Sequence, residues 1–351
     1  MRPVYRINRQ LIKVETLNTT DRKKDHIDLA FKSATASTVR DDRFDYEPML
    51  TTHPGESQTI EGYFAGKPYK FPIWVSSMTG GTGIAKNINR NLARACKDFG
   101  LGMGLGSCRK LLTSDEFLDD FAVRPYIGDQ PLYANLGIAQ LNDLILSSKL
   151  SLVDELLKKL EADGLIVHVN PIQEWLQPEG DRIHSMSPLE SIERLLDRKD
   201  IKVIVKEVGQ GMGPRSIKAI LKLPITAFEF GAFGGTNFAK LEALRDEKIG
   251  EIDPICFVGH TPLEMTSLVS KFVNKENGDA PDIIISGSIK NYLDGFFYNE
   301  ICPLNSVYGQ AAGFLKHAMG EYEELENYVR NQTQGYAFAK RYLRVKSSYQ
   351  L

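Results

Sequence analysis

The chain has 351 residues, 42% of them hydrophobic and 25% charged, with a net charge of −2. That is the composition of a soluble globular protein with room for one large domain or two ordinary ones, and its near-neutral balance gives no global field to draw nucleic acid or an anionic membrane. No apolar run reaches the length of a membrane span, the N-terminus lacks the apolar region of a signal peptide, and Cys96, Cys108, Cys256 and Cys302 form no C-x-x-C pair, so a cytoplasmic protein with reduced thiols is expected.

Residues 1–70 read as an irregular extension, basic at first, with Arg22, Lys23 and Lys24 followed by His26. A short charge run is usually a solvated face. Arg and Lys also match phosphate in charge and geometry, so the segment is a candidate arm for an anionic ligand. From Phe71 onward, apolar stretches of strand length alternate with amphipathic stretches of helix length. The expected strands are Ile73–Met78, Leu101–Gly106, Leu132–Gly137, Leu165–Asn170, Val203–Val208, Ala227–Gly231, Ile283–Gly287 and a weak one near Val307–Gly309, with Ile255–Val258 as a rival seventh. Helical spacing covers Asn87–Phe99, Ser151–Glu161 with Ser151 placed as a cap, Pro188–Arg198, Arg215–Leu221 and Leu263–Asn274. Strand–helix alternation with continuous apolar strands means a parallel sheet covered on both faces. Eight such units across residues 71–320 fit a closed (β/α)₈ TIM barrel, an α/β fold, with an open doubly wound sheet as the alternative. Residues 321–351 read as a C-terminal helical tail.

In such a barrel, chemistry sits where the strands run out. Strand four ends with His168 and Asn170, two apart and so on one face of a strand that Pro171 stops. Gln173 and Glu174 follow. Any one of these alone would more often cap the next helix; the four together suggest a site. The other ends carry Ser77, Met78, Thr79 and Gly80; Ser107 and Arg109; Asn135; Lys206; Thr236; Gly287, Ser288 and Lys290; and Ala311 and Ala312. Glycine lets backbone N–H groups approach a ligand, and small hydroxyls and amides bond it. Barrels often hold a phosphate between the loops after their last two strands, where Gly287, Ser288 and residues 309–313 fall. Lys206 would share a buried face with Ile204 and Val208, and a lysine there needs an anionic partner. A planar phosphorylated cofactor satisfies all of this. Flavin mononucleotide (FMN) fits, with Thr79, Gly80, Ser107 and Asn135 at its ring and Lys206 near its electron-rich side. There is no G-x-G-x-x-G fingerprint, P-loop or zinc spacing.

The set Arg22-Lys23-x-x-His26, Met78–Gly81, Gly106-Ser107-x-Arg109, Ala134–Gly137, His168-x-Asn170-x-x-Gln173-Glu174, Pro178–Asp181, Val205–Gly209 and Gly234–Phe238 resembles the type 2 isopentenyl-diphosphate isomerases, from about residue 22 to 315. The resemblance implies a (β/α)₈ enzyme that interconverts isopentenyl and dimethylallyl diphosphate, using reduced FMN, Mg²⁺ and a reductant such as NADPH. It implies that Ser77, Met78, Thr79, Gly80, Ser107, Asn135, Lys206, Thr236, Gly287, Ser288, Lys290, Ala311 and Ala312 hold FMN. It places Arg22, Lys23, His26, Arg109, Asn170 and Gln173 at the substrate, gives Gln173 and His168 the catalytic positions, and gives Glu174 to Mg²⁺ bridged to the diphosphate. No side chain in this set is a strong enough acid to protonate an alkene at neutral pH, so the reduced flavin is the expected acid–base group, with Gln173 orienting or relaying the proton. By analogy the enzyme forms a homo-oligomer, a tetramer or larger. Two departures are plain: the family usually shows Ser-Gly-Gly-Ile-Arg where this chain has Ser286–Lys290 with Ser288 and Lys290, and the final strand, Ser306–Gly313, matches only loosely. The competing readings are another FMN barrel, such as a 2-hydroxy-acid oxidase, and a barrel that binds FMN or prenyl diphosphate without turnover.

Overall fold

The computed structural model describes residues 19–55, 57–77, 80–183, 185–198, 200–245, 252–273 and 280–351, with side chains from residue 23. Contacts divide the chain into two units, Met1–Asp42 and Arg43–Leu351. In the first unit the helix Thr19–Ala30 carries Lys23 and His26 on an exposed surface. The sequence reading made this stretch irregular. Its residues are mostly charged, and without an apolar period a helix leaves little trace in sequence.

The second unit is built on eight strands: β1 (Ile73–Val75), β2 (Gly102–Gly104), β3 (Leu132–Gly137), β4 (Gly164–His168), β5 (Val203–Lys206), β6 (Ala227–Glu229), β7 (Asp282–Ser286) and β8 (Ser306–Gln310). Each pairs parallel with the next, and β8 pairs with β1, so the sheet closes and the open alternative falls away. Strands β1, β2, β4, β5, β6 and β7 stop short of the expected ends. Beyond them the chain turns out of the ladder, and Asn170 is the residue before the helix Pro171–Leu176, not part of a strand face shared with His168. Pro171 opens that helix at a position where its missing N–H costs nothing. The rival seventh strand is a 3₁₀ turn, Pro254–Phe257, started by Asp253 accepting the Ile255 N–H at 2.9 Å. Ser151 lies inside its helix and does not cap it; Leu150 holds the cap position.

Alternation along the strands makes two cores. Outward residues such as Val75, Met103, Leu165, Val205, Phe228 and Ile285 pack under the surrounding helices, among them Ala85–Phe99 and Tyr322–Tyr342. Inward residues Trp74, Tyr133, Ile166, Ile204, Ala227, Ile284 and Val307 form a separate apolar cluster inside the barrel. Phe64 and Ala65 join that cluster from a hairpin, Gly62–Phe64 with Lys67–Tyr69, which plugs the barrel's N-terminal end. Its turn uses left-handed Ala65 and Gly66, and Asp282 accepts the Ala65 N–H at 2.9 Å. A strand Phe44–Tyr46 pairs antiparallel with Leu343–Val345 after the C-terminal helix. These elements replace the irregular extension expected over residues 43–70. At three residues per strand, they are too short to show a period. The four cysteines are free. Among the described residues, no helix is long and apolar enough to cross a membrane.

Trp74 is 1% exposed at the centre of the inner cluster, stacked edgewise on Tyr133 at 5.9 Å. Trp74→Ala is expected to destabilise the fold by about 3–5 kcal/mol, measured by chemical denaturation.

Candidate active site

One step above the inner apolar row, the same alternation brings Ser76, Asn135, His168, Lys206, Glu229, Ser286 and Gly309 to the interior at the C-terminal ends of the strands. Six of these positions, all but half-buried His168, are buried. A cavity of about 360 Å³ opens there, lined by Ser77, Lys206, Thr236, Gly287, Ser288, Lys290, Ala311 and Ala312 together with Ser76 and Glu229. The fold thus gathers residues from strand ends spread over more than two hundred positions of sequence.

The loop after β7 is fixed by its neighbours. Gly287 has a φ of 91°, and a Cβ there would meet the Ala232 carbonyl oxygen at 2.1 Å, so only glycine fits. Ser288 also adopts a left-handed conformation, φ 60°, a strain of about 1–2 kcal/mol for a residue with a Cβ. The loop holds because Asp294 accepts the Lys290 N–H at 2.9 Å while pairing with Arg43, and Gln310 donates to the Ile289 carbonyl at 3.1 Å.

Asn135 does not line this cavity; it reaches the mouth through His168. Its Oδ1 lies 2.8 Å from His168 Nδ1, and its Nδ2 donates to the Leu105 carbonyl at 3.0 Å. That network assigns the proton to Nδ1 and leaves Nε2 as an acceptor. Burial first, then the charge of Lys206 on the adjoining strand, pushes the His168 pKa down to about 3. The imidazole is therefore neutral across the physiological range and is no proton donor in its charged form.

A second cluster surrounds the short helix after β4. Asn170 Nδ2 donates to Gln173 Oε1 at 3.1 Å and to Glu174 Oε1 at 2.8 Å. Glu174 Oε2 accepts the Asp181 N–H at 2.7 Å, and Asp181 binds Arg109 at 2.9 Å and Gln140 at 2.8 Å. Gln173 Nε2 donates to Glu242 Oε1 at 3.1 Å, and Arg245 bridges Glu242 to Glu179. The loop of residues 177–181 is thus tied at both ends. Gly180 is pressed against the Glu174 carbonyl, where a Cβ would stand 2.1 Å away.

Of the expected site residues, Ser107 is exposed and does not line the cavity. Arg109 is already paired with Asp181, so a diphosphate must share it. Met78, Thr79 and the side chain of Arg22 lie outside the described residues. Lys23 and His26 belong to the first unit. Three acidic residues escaped the sequence reading. Glu242 sits in the helix Phe238–Arg245, where it is buried with Ala239 and Ala243 while Leu241 and Leu244 are exposed, so the residue pattern does not mark it. Glu207 faces away from Lys206 and accepts the N–H groups of Gly209, Gln210 and Gly211 at 2.7, 2.6 and 2.9 Å, so it shapes the loop after β5. Burial raises its pKa to about 7 against the pull of those donors. Glu229 did leave a signal: it is a charged residue inside the apolar run Ala227–Phe230.

The donor set can be tested against the expected groups. Buried Ser76 Oγ, Ser77 Oγ and Glu229 Oε2 have no hydrogen-bond partner, and Lys206 has no acidic partner within salt-bridge reach among the described residues. Such atoms are costly unless a ligand meets them. A polar ligand with an anionic end, of the size of FMN, fits them. For the cation, no group of three His, Cys, Asp or Glu residues among the described residues makes a cage. The buried, unpartnered Asn170 Oδ1 beside the Glu174 carboxylate offers the hard oxygens that suit Mg²⁺ sharing its shell with phosphate.

A closed parallel barrel with a polar, incompletely satisfied mouth defines an α/β-barrel enzyme. No family model matches the chain. It is 35% identical over 305 residues to isopentenyl-diphosphate delta-isomerase of Rickettsia felis, covering 85% of each chain. It is 33% identical to the enzyme of the same name from Rickettsia africae, covering 85% of this chain and 86% of that one. The chain belongs to the isopentenyl-diphosphate delta-isomerase family and is an enzyme. Its fold is that of flavocytochrome b2 (TM-score 0.58, 13% identity, 85% of this chain and 71% of the other) and of a mandelate oxidase variant (TM-score 0.53, 14% identity, 87% and 88%).

The low pKa of His168 has a consequence for stability. The folded state resists protonating this ring, whereas the unfolded chain takes up the proton near 6.5. Its contribution is therefore complete above about pH 7 and shrinks as pH falls below the unfolded value. Denaturation midpoints of wild type relative to His168→Gln are expected to decline on going from about pH 7 to pH 5, while the His168 imidazole signals in NMR stay untitrated.

Proposed function

We propose that this isomerase interconverts isopentenyl and dimethylallyl diphosphate on the β4 side of the mouth, with reduced FMN in the cavity between β5 and β8 and Mg²⁺ at Glu174. The observation that carries the reading is the hydrogen-bonded run Glu174–Asn170–Gln173–Glu242, which joins a cation-ready carboxylate to a proton-capable one on the separate helix Phe238–Arg245. The reaction adds a proton at the terminal carbon of the alkene and removes one from the carbon two bonds from the diphosphate oxygen. Bound reduced flavin supplies acid–base chemistry beyond the reach of ordinary side chains.

The protein's own groups have distinct tasks in this reading. Ser77, Met78, Thr79, Gly80 and Lys206 hold the ring end of the cofactor, with Ser107 and Asn135 beyond the cavity lining at its rim, Asn135 there positioning His168. Thr236, Gly287, Ser288, Lys290, Ala311 and Ala312 hold its phosphate end. Arg109 meets the diphosphate while shared with Asp181, and the family resemblance assigns Arg22, Lys23 and His26 to substrate binding. Glu174 carries Mg²⁺ to the same oxygens. Asn170 orients both Gln173 and Glu174 because its single amide donates to each. Gln173 faces the alkene and is backed by Glu242, so a proton accepted at Gln173 has a carboxylate behind it. Neutral His168 fills the pocket wall and offers Nε2 as an acceptor. NADPH is the proposed reductant, and a homo-oligomer of four or more subunits is the proposed assembly.

The test is anaerobic turnover of isopentenyl diphosphate with FMN, Mg²⁺ and dithionite. Product that requires both reduced flavin and Mg²⁺ is expected; bound, reduced flavin without product would refute the assignment. Glu242→Gln is expected to lower kcat by at least about 10²-fold, as for loss of a general acid–base group, with KM little changed. Glu174→Gln is expected to raise the Mg²⁺ concentration needed for half-maximal rate.

A further inference from the structure

Glu229 has no task in the reaction as described, yet it occupies the least forgiving position in the barrel. It is 1% exposed, and its Oε2 has no hydrogen-bond partner. It ends β6, two residues beyond Ala227 of the inner apolar cluster, so its side chain enters the interior rather than the helical layer. Lys206 is its register neighbour on β5, but no ion pair within 4 Å joins them. Ser76, across the same cavity at the end of β1, has a buried hydroxyl that is likewise without a partner. A buried carboxylate is tolerated only when donors reach it. The protein supplies none to this oxygen, so the cavity's occupant must.

The chemistry of that occupant can be narrowed. A phosphate cannot satisfy a carboxylate, since both accept and both are negative. An aromatic ring edge brings too few donors to this depth. A chain of hydroxyls brings several, each able to donate to Glu229 and accept from Ser76 or Lys206. Flavin mononucleotide carries such a chain, the ribityl, between its ring and its phosphate. Glu229 lies in the same cavity as Lys206 and the β7 and β8 loops. We propose that Glu229 is a cofactor-binding residue whose carboxylate accepts hydrogen bonds from the ribityl hydroxyls, with Ser76 completing the polyol subsite. This rests on the FMN reading above.

The test is flavin titration of the flavin-stripped full-length protein, followed by fluorescence quenching, with FMN, riboflavin and lumiflavin, which lacks the polyol chain. Glu229→Gln keeps the shape and removes the charge. It is expected to weaken FMN and riboflavin about tenfold, the effect of one charge-assisted hydrogen bond, and to leave lumiflavin unchanged. Unchanged FMN binding, or equal loss for riboflavin and lumiflavin, would overturn the inference. If the variant does not fold, the wild-type protein decides with riboflavins that lack single chain hydroxyls: one of them should bind about tenfold more weakly, and equal binding by all would overturn it. Wild-type protein that binds no flavin at all would instead sink the cofactor assignment, and this subsite with it.

Discussion

Closing eight parallel strands into a barrel commits every second side chain to an interior that water does not freely enter. In this protein that constraint divides the interior into two rows. The lower row is apolar, centred on Trp74, Tyr133 and Ile166, and sealed from below by Phe64 and Ala65. The upper row is polar, from Ser76 to Gly309, and several of its atoms have no partner in the protein. The first row stabilises the barrel. The second weakens it and so marks where a ligand belongs. Stability and function are separated by one step of the strand repeat.

The polar groups at the mouth do not act independently. Lys206 is in register with His168 on one side and Glu229 on the other. Its charge helps keep His168 neutral, and the neutral ring in turn fixes Asn135. On the β4 side, Asn170 divides its two amide hydrogens between Gln173 and Glu174, and Asp181 ties Glu174 to Arg109. A single substitution in either network leaves another buried polar group unsatisfied, which is costly in a site of low dielectric. Arg109 and Glu174 are also coupled through Asp181, so drawing Arg109 onto a diphosphate affects the carboxylate proposed to carry its cation.

The departures from sequence expectation have a common cause. Strands β1, β2, β4, β5, β6 and β7 end earlier than expected, because period-two patterns continue in sequence after the ladder has stopped. Asn170 was read as sharing a strand face with His168; it precedes a helix and reaches its partners from there. The hairpin of residues 62–69 and the pairing of Phe44–Tyr46 with Leu343–Val345 left no periodic signal at all, and their partners are distant or only three residues long.

Much was nonetheless fixed by local chemistry. The strand–helix rhythm from Phe71 follows from apolar periodicity, and the eight-strand barrel follows from that rhythm. His168, Asn170, Gln173, Glu174 and Lys206 stood out because polar residues at the ends of apolar strands are conspicuous in sequence. Tertiary structure alone decided that Gln173 meets Glu242, that Arg109 is held by Asp181, and that Glu229 faces the cavity beside Lys206. Those relations join residues up to seventy-two positions apart. They depend on strand register and helix placement, which no local pattern of amino acids specifies.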